Sequence, residues 1–248
     1  MMAELRERIL LCGPPGSGKS YAALTIARRY TNSQFWVLDT DQAWPRMMSG
    51  QFSDLQNVHV FECNQWEDYI AALTSIKKQA VSGDWLIVDF MSTAWDDVQD
   101  YFIREVFDQN VEAYYLARRK EAKKSAKSLE VFEGWVDWPV IKAQYKGFRV
   151  RHIGMDLRQC HQLFTTAIRS IQKGETDAGR LSFSPYGGYP AGEKNLPYQC
   201  HAVLMMSRPR LGVWELSSYK DRERPLLDHA ELTDFAKDYV LKVAKLKR

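Results

Sequence analysis

The sequence predicts an α/β fold: a mainly parallel central sheet flanked by helices, with an antiparallel hairpin near its C-terminal end. Three observations lead there. The apolar run Ile9-Leu10-Leu11-Cys12 enters Gly13-Pro14-Pro15-Gly16-Ser17-Gly18-Lys19-Ser20 and then a stretch with helical spacing of apolar residues. Further short apolar runs alternate with segments of helical period, the order that builds parallel sheets. Two late strands, 202–206 and 212–218, are separated only by the turn Arg208-Pro209-Arg210-Leu211, close enough to pair antiparallel.

The elements follow in order. Residues 21–30 read as a helix with a basic end. Phe35-Trp36-Val37-Leu38 is a candidate strand leading into Asp39-Thr40-Asp41, and Val58-His59-Val60-Phe61 is a shorter one. Residues 67–81 carry Tyr69, Ile70, Leu73 and Ile76 at helical spacing. Trp85-Leu86-Ile87-Val88-Asp89 follows the turn-like Ser82-Gly83-Asp84 and reads as a buried strand. One helix is expected from Thr93 to about Leu116, with Val98, Phe102 and Val106 on one face. Residues 162–168 read as another core strand, and 228–247 as a closing amphipathic helix. There is no internal repeat, and 1–248 reads as a single domain.

The motif at 13–20 matches G-x-x-x-x-G-K-[ST] in full, and a strand and a helix flank it as the motif requires. Glycines let successive backbone N–H groups turn inward, and a helix N-terminus adds partial positive charge. Gly13, Pro14, Pro15, Gly16, Ser17, Gly18, Lys19, Ser20 and Tyr21 therefore read as a nucleotide phosphate cradle. Lys19 is expected on the β- and γ-phosphates and Ser20 on Mg²⁺. Such a loop needs a strand-end Asp for the metal shell. Asp89 fits, with capping of the next helix as the alternative. Phe90 follows it and cannot polarise a water.

Two segments interrupt the pattern. From 118 to 127 there are six basic residues and one acidic, within a basic insertion over about 117–151 that also carries Trp135, Trp138, Tyr145 and Phe148. Cations interleaved with aromatics suit single-stranded nucleic acid. A solvated helix with core aromatics is the alternative. The second segment, about 173–197, is rich in glycine and proline and reads as a loop. It offers Arg180, Phe183, Tyr186, Tyr189 and Lys194 as contacts, or serves as a plain surface loop.

In this order the pieces resemble the RecA-like P-loop ATPases, most closely the compact bacteriophage-type group that includes the Sak-family single-strand-annealing ATPases. The resemblance rests on 13–20, Asp39-Thr40-Asp41, 85–89, the strand at 162–167 and Lys220-Asp221-Arg222. It implies ATP and Mg²⁺, single-stranded DNA binding, self-assembly, and a cytoplasmic role in phage recombination or replication. In this family a catalytic carboxylate follows the strand next to the P-loop strand. Asp41 stands where the usual residue is Glu, one methylene shorter, with Asp96 and Asp97 as fallback. The family carries a nucleic-acid loop where 173–197 stands, and Thr165 or Thr166 would sense the γ-phosphate before it. Lys220 and Arg222 match the Lys-x-Lys spacing of a cation finger that reaches a neighbouring subunit. Local pairing with Asp221, Glu223 and Asp228 is the alternative.

Composition bounds the rest. With 248 residues, 45% hydrophobic residues and a formal net charge of +3, the chain is no disordered polyelectrolyte, and its charge selects no partner. No apolar run approaches the length of a membrane span, and a soluble intracellular protein is expected. Four scattered cysteines, without C-x-x-C, fit a reducing compartment. Cys160-His161 and Cys200-His201 would make a zinc site only if the fold united them. A non-hydrolysing ATP switch acting on a protein partner and a small-molecule P-loop kinase are the competing functions.

Overall fold

A computed structural model describes residues 6–124 and 137–246. The strands β1 (Arg8–Cys12), β2 (Phe35–Asp39), β3 (Val58–Glu62), β4 (Trp85–Asp89), β5 (His161–Thr166), β8 (Ala202–Arg210), β9 (Val213–Asp221) and β10 (Ala230–Leu232) form one sheet. Its order is β10-β9-β8-β1-β5-β4-β2-β3. β8, β1, β5, β4, β2 and β3 run parallel, and β9 and β10 are antiparallel additions. The fold class expected from the sequence is the one observed. One spatial expectation is corrected. β2 is not beside the β1 strand, since β5 and β4 stand between them.

Strands buried on both faces read as continuous apolar runs, and β1, β2, β4 and β5 show that burial. One face packs α1 (Lys19–Arg29) and a π-helical turn, Ala236–Leu241, through Ala23, Ile26, Phe235 and Tyr239. The other face packs α3 (Trp66–Gln79), α4 (Met91–Phe107) and α6 (Asp137–Lys146) through Tyr69, Leu73, Val98 and Tyr145. All parallel strands end at the same edge. Asp39 is level with Asp89 there, and Cys12 with Thr166, so the tips that carry chemistry are gathered by register alone.

Three element expectations are corrected. The helix at 93–116 is two helices, α4 and α5 (Val111–Lys124), because Asp108 takes φ +49 and the Asn110 side chain accepts the Ala113 N–H at 2.8 Å to start the next one. The closing helix at 228–247 is mostly replaced. Ala230 and Leu232 alternate into β10, paired with Leu216 and Trp214, and helical turns begin only at Ala236. The 173–197 loop is structured. It holds α7 (Ala178–Leu181), a 3₁₀ turn at Ser184–Tyr186, β7 (Tyr189–Pro190) and the start of α8 (Leu196–Gln199), with β7 paired to β6 (Ile168–Arg169).

Candidate functional site

β1 delivers Gly13 to the sheet edge, where a side chain would collide with the Met206 carbonyl oxygen at 2.5 Å. Gly16 and Gly18 take φ +73 and +94, a conformation that favours glycine. The loop then opens α1, so the backbone donors of the first turn face the cleft. Lys19 is 5% exposed. Its Nζ donates to the carbonyls of Gly13 at 2.9 Å and Pro14 at 3.1 Å, and stands 5.0 Å from the Phe90 ring centroid. Burial pulls its pKa down, and Asp89 opposes that.

Asp89 is fully buried and collects three donors. Ser20 Oγ donates to Oδ2 at 2.6 Å, Trp44 Nε1 to the same oxygen at 2.8 Å, and Thr165 Oγ1 to Oδ1. Burial pushes its carboxyl above the usual range, against these donors. Asp89, Ser20 and Thr165 come from β4, α1 and β5, united by the strand order. The oxygens of Ser20 and Asp89 form the hard donor set that Mg²⁺ prefers. Among the described residues no group of three or more His, Cys, Asp or Glu is arranged to hold a metal by itself.

Asp41 lines the same cleft, of about 450 Å³, with Lys19, Ser20, Tyr21 and Phe90. It is exposed, and its Oδ1 accepts the Ala43 N–H at 3.2 Å at the start of α2 (Ala43–Met48). Asp39 caps the same turn, accepting from Trp44 N at 3.2 Å. Burial, with Asp41 adding to it, pushes the Asp39 carboxyl up to about 6. The fallback carboxylates are not among the residues lining the cleft. Asp97 accepts the Tyr69 hydroxyl at 2.6 Å, and Asp96 accepts from Gln99 at 3.4 Å.

The two threonines divide their work. Thr165 serves Asp89, while Thr166 Oγ1 donates to the Ala191 carbonyl at 2.9 Å. The 173–197 segment is therefore bonded directly to the strand tip beside the cleft. Arg180, Tyr189 and Lys194 line a cavity of about 510 Å³ with Tyr198, Tyr219 and Lys220. Phe183 lines it too, but is buried and stacked on Tyr219 at 3.8 Å. Tyr186 faces a second cleft, of about 390 Å³.

Lys220 is level with Val203, and Val203 with Leu10; Arg222 follows beyond Asp221. Both lie towards the end of the sheet away from their own glycine loop. Lys220 Nζ donates to the Pro197 and Tyr198 carbonyls at 2.9 and 3.4 Å. Arg222 is exposed. The local pairing named as the alternative is made by Arg224 instead, which bridges Asp221 at 3.0 Å and also Glu7.

In the basic insertion, Tyr145 and Phe148 are core, and Trp138 stacks on Trp95 at 6.1 Å. Tyr145 and Phe148 are therefore not open to stack on bases. Trp135 lies outside the described residues. The zinc alternative also gives way. Backbone N–H groups of Glu7 and Arg8 donate to His161 Nδ1 at 3.2 Å and His201 Nδ1 at 3.3 Å, and all four cysteines are buried and free.

Sequence reading missed Trp44 as a partner of Asp89, since no spacing rule links an indole after β2 to the tip of β4. It also missed Trp214, which lies against Gly18.

A family described as an AAA domain matches residues 6–113, a span that includes the glycine loop, Asp41 and Asp89. No curated protein matches the chain. Among solved structures, the crystal structure of the RadB recombinase is 15% identical, with a TM-score of 0.49, over 90% of this chain and 84% of that one.

Proposed function

We propose that this chain is a Mg²⁺-dependent ATPase of RecA-like type, one domain over 1–248, that couples nucleotide state to binding of single-stranded DNA in phage-type recombination or replication. The observation that carries the reading is the meeting of Lys19, Ser20, Thr165 and Asp89 at one sheet edge, with Thr166 bonded to the 173–197 segment. The AAA-domain match covers the same loop and carboxylate.

In this reading the loop amides and Lys19 bind the phosphates, Lys19 exchanging loop carbonyls for phosphate oxygens. Ser20 and Asp89 would hold Mg²⁺, which when bound offsets the phosphate charge. Asp41 positions the attacking water and takes its proton, giving ADP and inorganic phosphate. Phosphoryl transfer asks little more of a protein than positioning and charge. Because Lys220 and Arg222 lie away from their own loop, the phosphate they serve belongs to another copy, and the active form is a homo-oligomer. Lys220 is held by Pro197 and Tyr198, so Arg222 is the freer finger. The cavity of cations and tyrosines around Arg180, Tyr189 and Lys194 is the DNA contact.

Phosphate release from MgATP, with and without single-stranded DNA, tests this with Lys19→Ala as the blank. DNA stimulation that vanishes in the variant, and activity rising faster than linearly with protein concentration, are expected. Tight ATP binding without turnover is the outcome of the switch reading, which the turn bond on Asp41 Oδ1 favours. Label transfer to a small acceptor would identify a kinase.

A further inference from the structure

The β8–β9 hairpin runs past the ends of the parallel strands. Cys12 is level with Met205 and Met205 with Ser217, so residues 207–213 overhang the glycine loop. The overhang brings Trp214 onto that loop. A Cβ at Gly18 would stand 2.3 Å from Trp214 Nε1 and 2.9 Å from its Cδ1, so the indole edge rests on the last glycine before Lys19. The ring also stacks on Tyr21, with centroids 5.1 Å apart and planes at 17°. The Arg208 guanidinium carbon lies 5.8 Å from the Trp214 ring centroid, on an exposed side chain. The Trp214 N–H is buried and has no acceptor among the described residues.

Lys19, Ser20 and Tyr21 line one cleft, so a triphosphate with its terminal groups at Lys19 would run along Ser20 and Tyr21 with its nucleoside beyond them. The Tyr21–Trp214 stack adjoins that path, with the exposed Arg208 cation beside it. We infer that Trp214, carried by the hairpin, is the nucleobase-binding residue of this loop. The base packs against the Tyr21–Trp214 stack, and Arg208 covers it. This rests on the nucleotide-binding reading and adds to it: the ligand is selected as a nucleoside triphosphate and not as a bare polyphosphate. It also ties the hairpin, and through Tyr219 and Lys220 the 173–197 segment, to the bound base.

Calorimetric titration of the full chain with MgATP and with magnesium tripolyphosphate tests it. A base–aromatic stack predicts that Trp214→Ala weakens ATP on the order of tenfold while tripolyphosphate changes less than about twofold. Trp214→Phe keeps a ring and loses the N–H, so its ATP affinity falls between the two, and it decides the matter if the alanine variant melts early. Lys19→Ala weakens both ligands. Equal weakening of both ligands by Trp214→Ala, or wild-type ATP affinity in both Trp214 variants, overturns the inference. Lys19-dependent tripolyphosphate binding with no gain from the nucleoside sinks it while leaving the phosphate reading intact. If neither ligand binds the wild type, the phosphate reading itself fails and the inference with it.

Discussion

Trp44 and Asp89 are 45 residues apart in the chain, and the indole N–H of one donates to the carboxylate of the other at 2.8 Å in a buried setting. That bond, with those from Ser20 and Thr165, holds the carboxylate in one orientation at the sheet edge. An Asp at a strand tip is common. Here it is clamped by an indole, the serine that follows the glycine loop's lysine, and a threonine from the adjacent strand.

Trp44→Phe removes one donor and keeps most of the apolar contact. Oδ2 keeps the Ser20 bond, so the change removes one of the hydrogen bonds to a buried carboxylate, about 1–3 kcal/mol, and urea unfolding should show a loss of that size. Thr165→Val should cost a similar amount and also slow turnover. Unchanged stability in both variants would mean that Asp89 is not clamped as described.

Thr166→Val should leave the cleft around Lys19 and Asp41 intact and loosen the 173–197 segment, because it breaks the bond to the Ala191 carbonyl. Limited proteolysis within that segment should speed up severalfold, with little change in ATP affinity. A cleavage pattern identical to wild type would disconnect the segment from the strand.

The Asp39 carboxyl is 1% exposed and raised from an ordinary 3.8 to about 6. A raised folded pKa means the neutral form is favoured in the fold. Its stabilising contribution is therefore fully present below about pH 4 and lost as pH rises through 6. A rise of that size corresponds to about 2–3 kcal/mol. The stability of wild type minus that of Asp39→Asn should fall by about that amount between pH 4 and pH 7 in urea titrations. A difference that does not vary with pH would refute it.

Arg149 and Glu193 form a buried pair at 3.3 Å, with side chains 8% and 5% exposed, joining the π-helical segment Gly147–Asp156 to the glycine-rich segment. Removing one partner strands the other charge and typically costs about 3–5 kcal/mol. Arg149→Met alone should cost that much, and Arg149→Met with Glu193→Gln clearly less. Additive losses would show that the two charges do not depend on one another.

Several features were legible from local pattern. The strand, glycine loop and helix at 9–30 declare themselves because the motif's chemistry is confined to eight consecutive residues. The strand ending in Asp89 is visible because a strand buried on both faces is apolar throughout. The break between α4 and α5 was harder to see. The apolar spacing continues across Asp108, and only its left-handed backbone and the Asn110 cap end the helix. The late strand β10 hid inside a segment that also fits a helix, since three residues are too few for period 2 to declare itself and the β9 edge supplies the pairing.

By itself the sequence determined the strand–glycine loop–helix unit, the strand ending in Asp89 and the α/β class, because each is encoded by residues adjacent in the chain. The tertiary structure alone decided who surrounds Asp89, that Thr165 and Thr166 face different partners, that Tyr145 and Phe148 are core, and that Trp214 lies on Gly18. Those relations join residues tens to nearly two hundred positions apart. They arise from strand order and register, which depend on how the whole apolar surface packs and leave no periodic trace in any one segment.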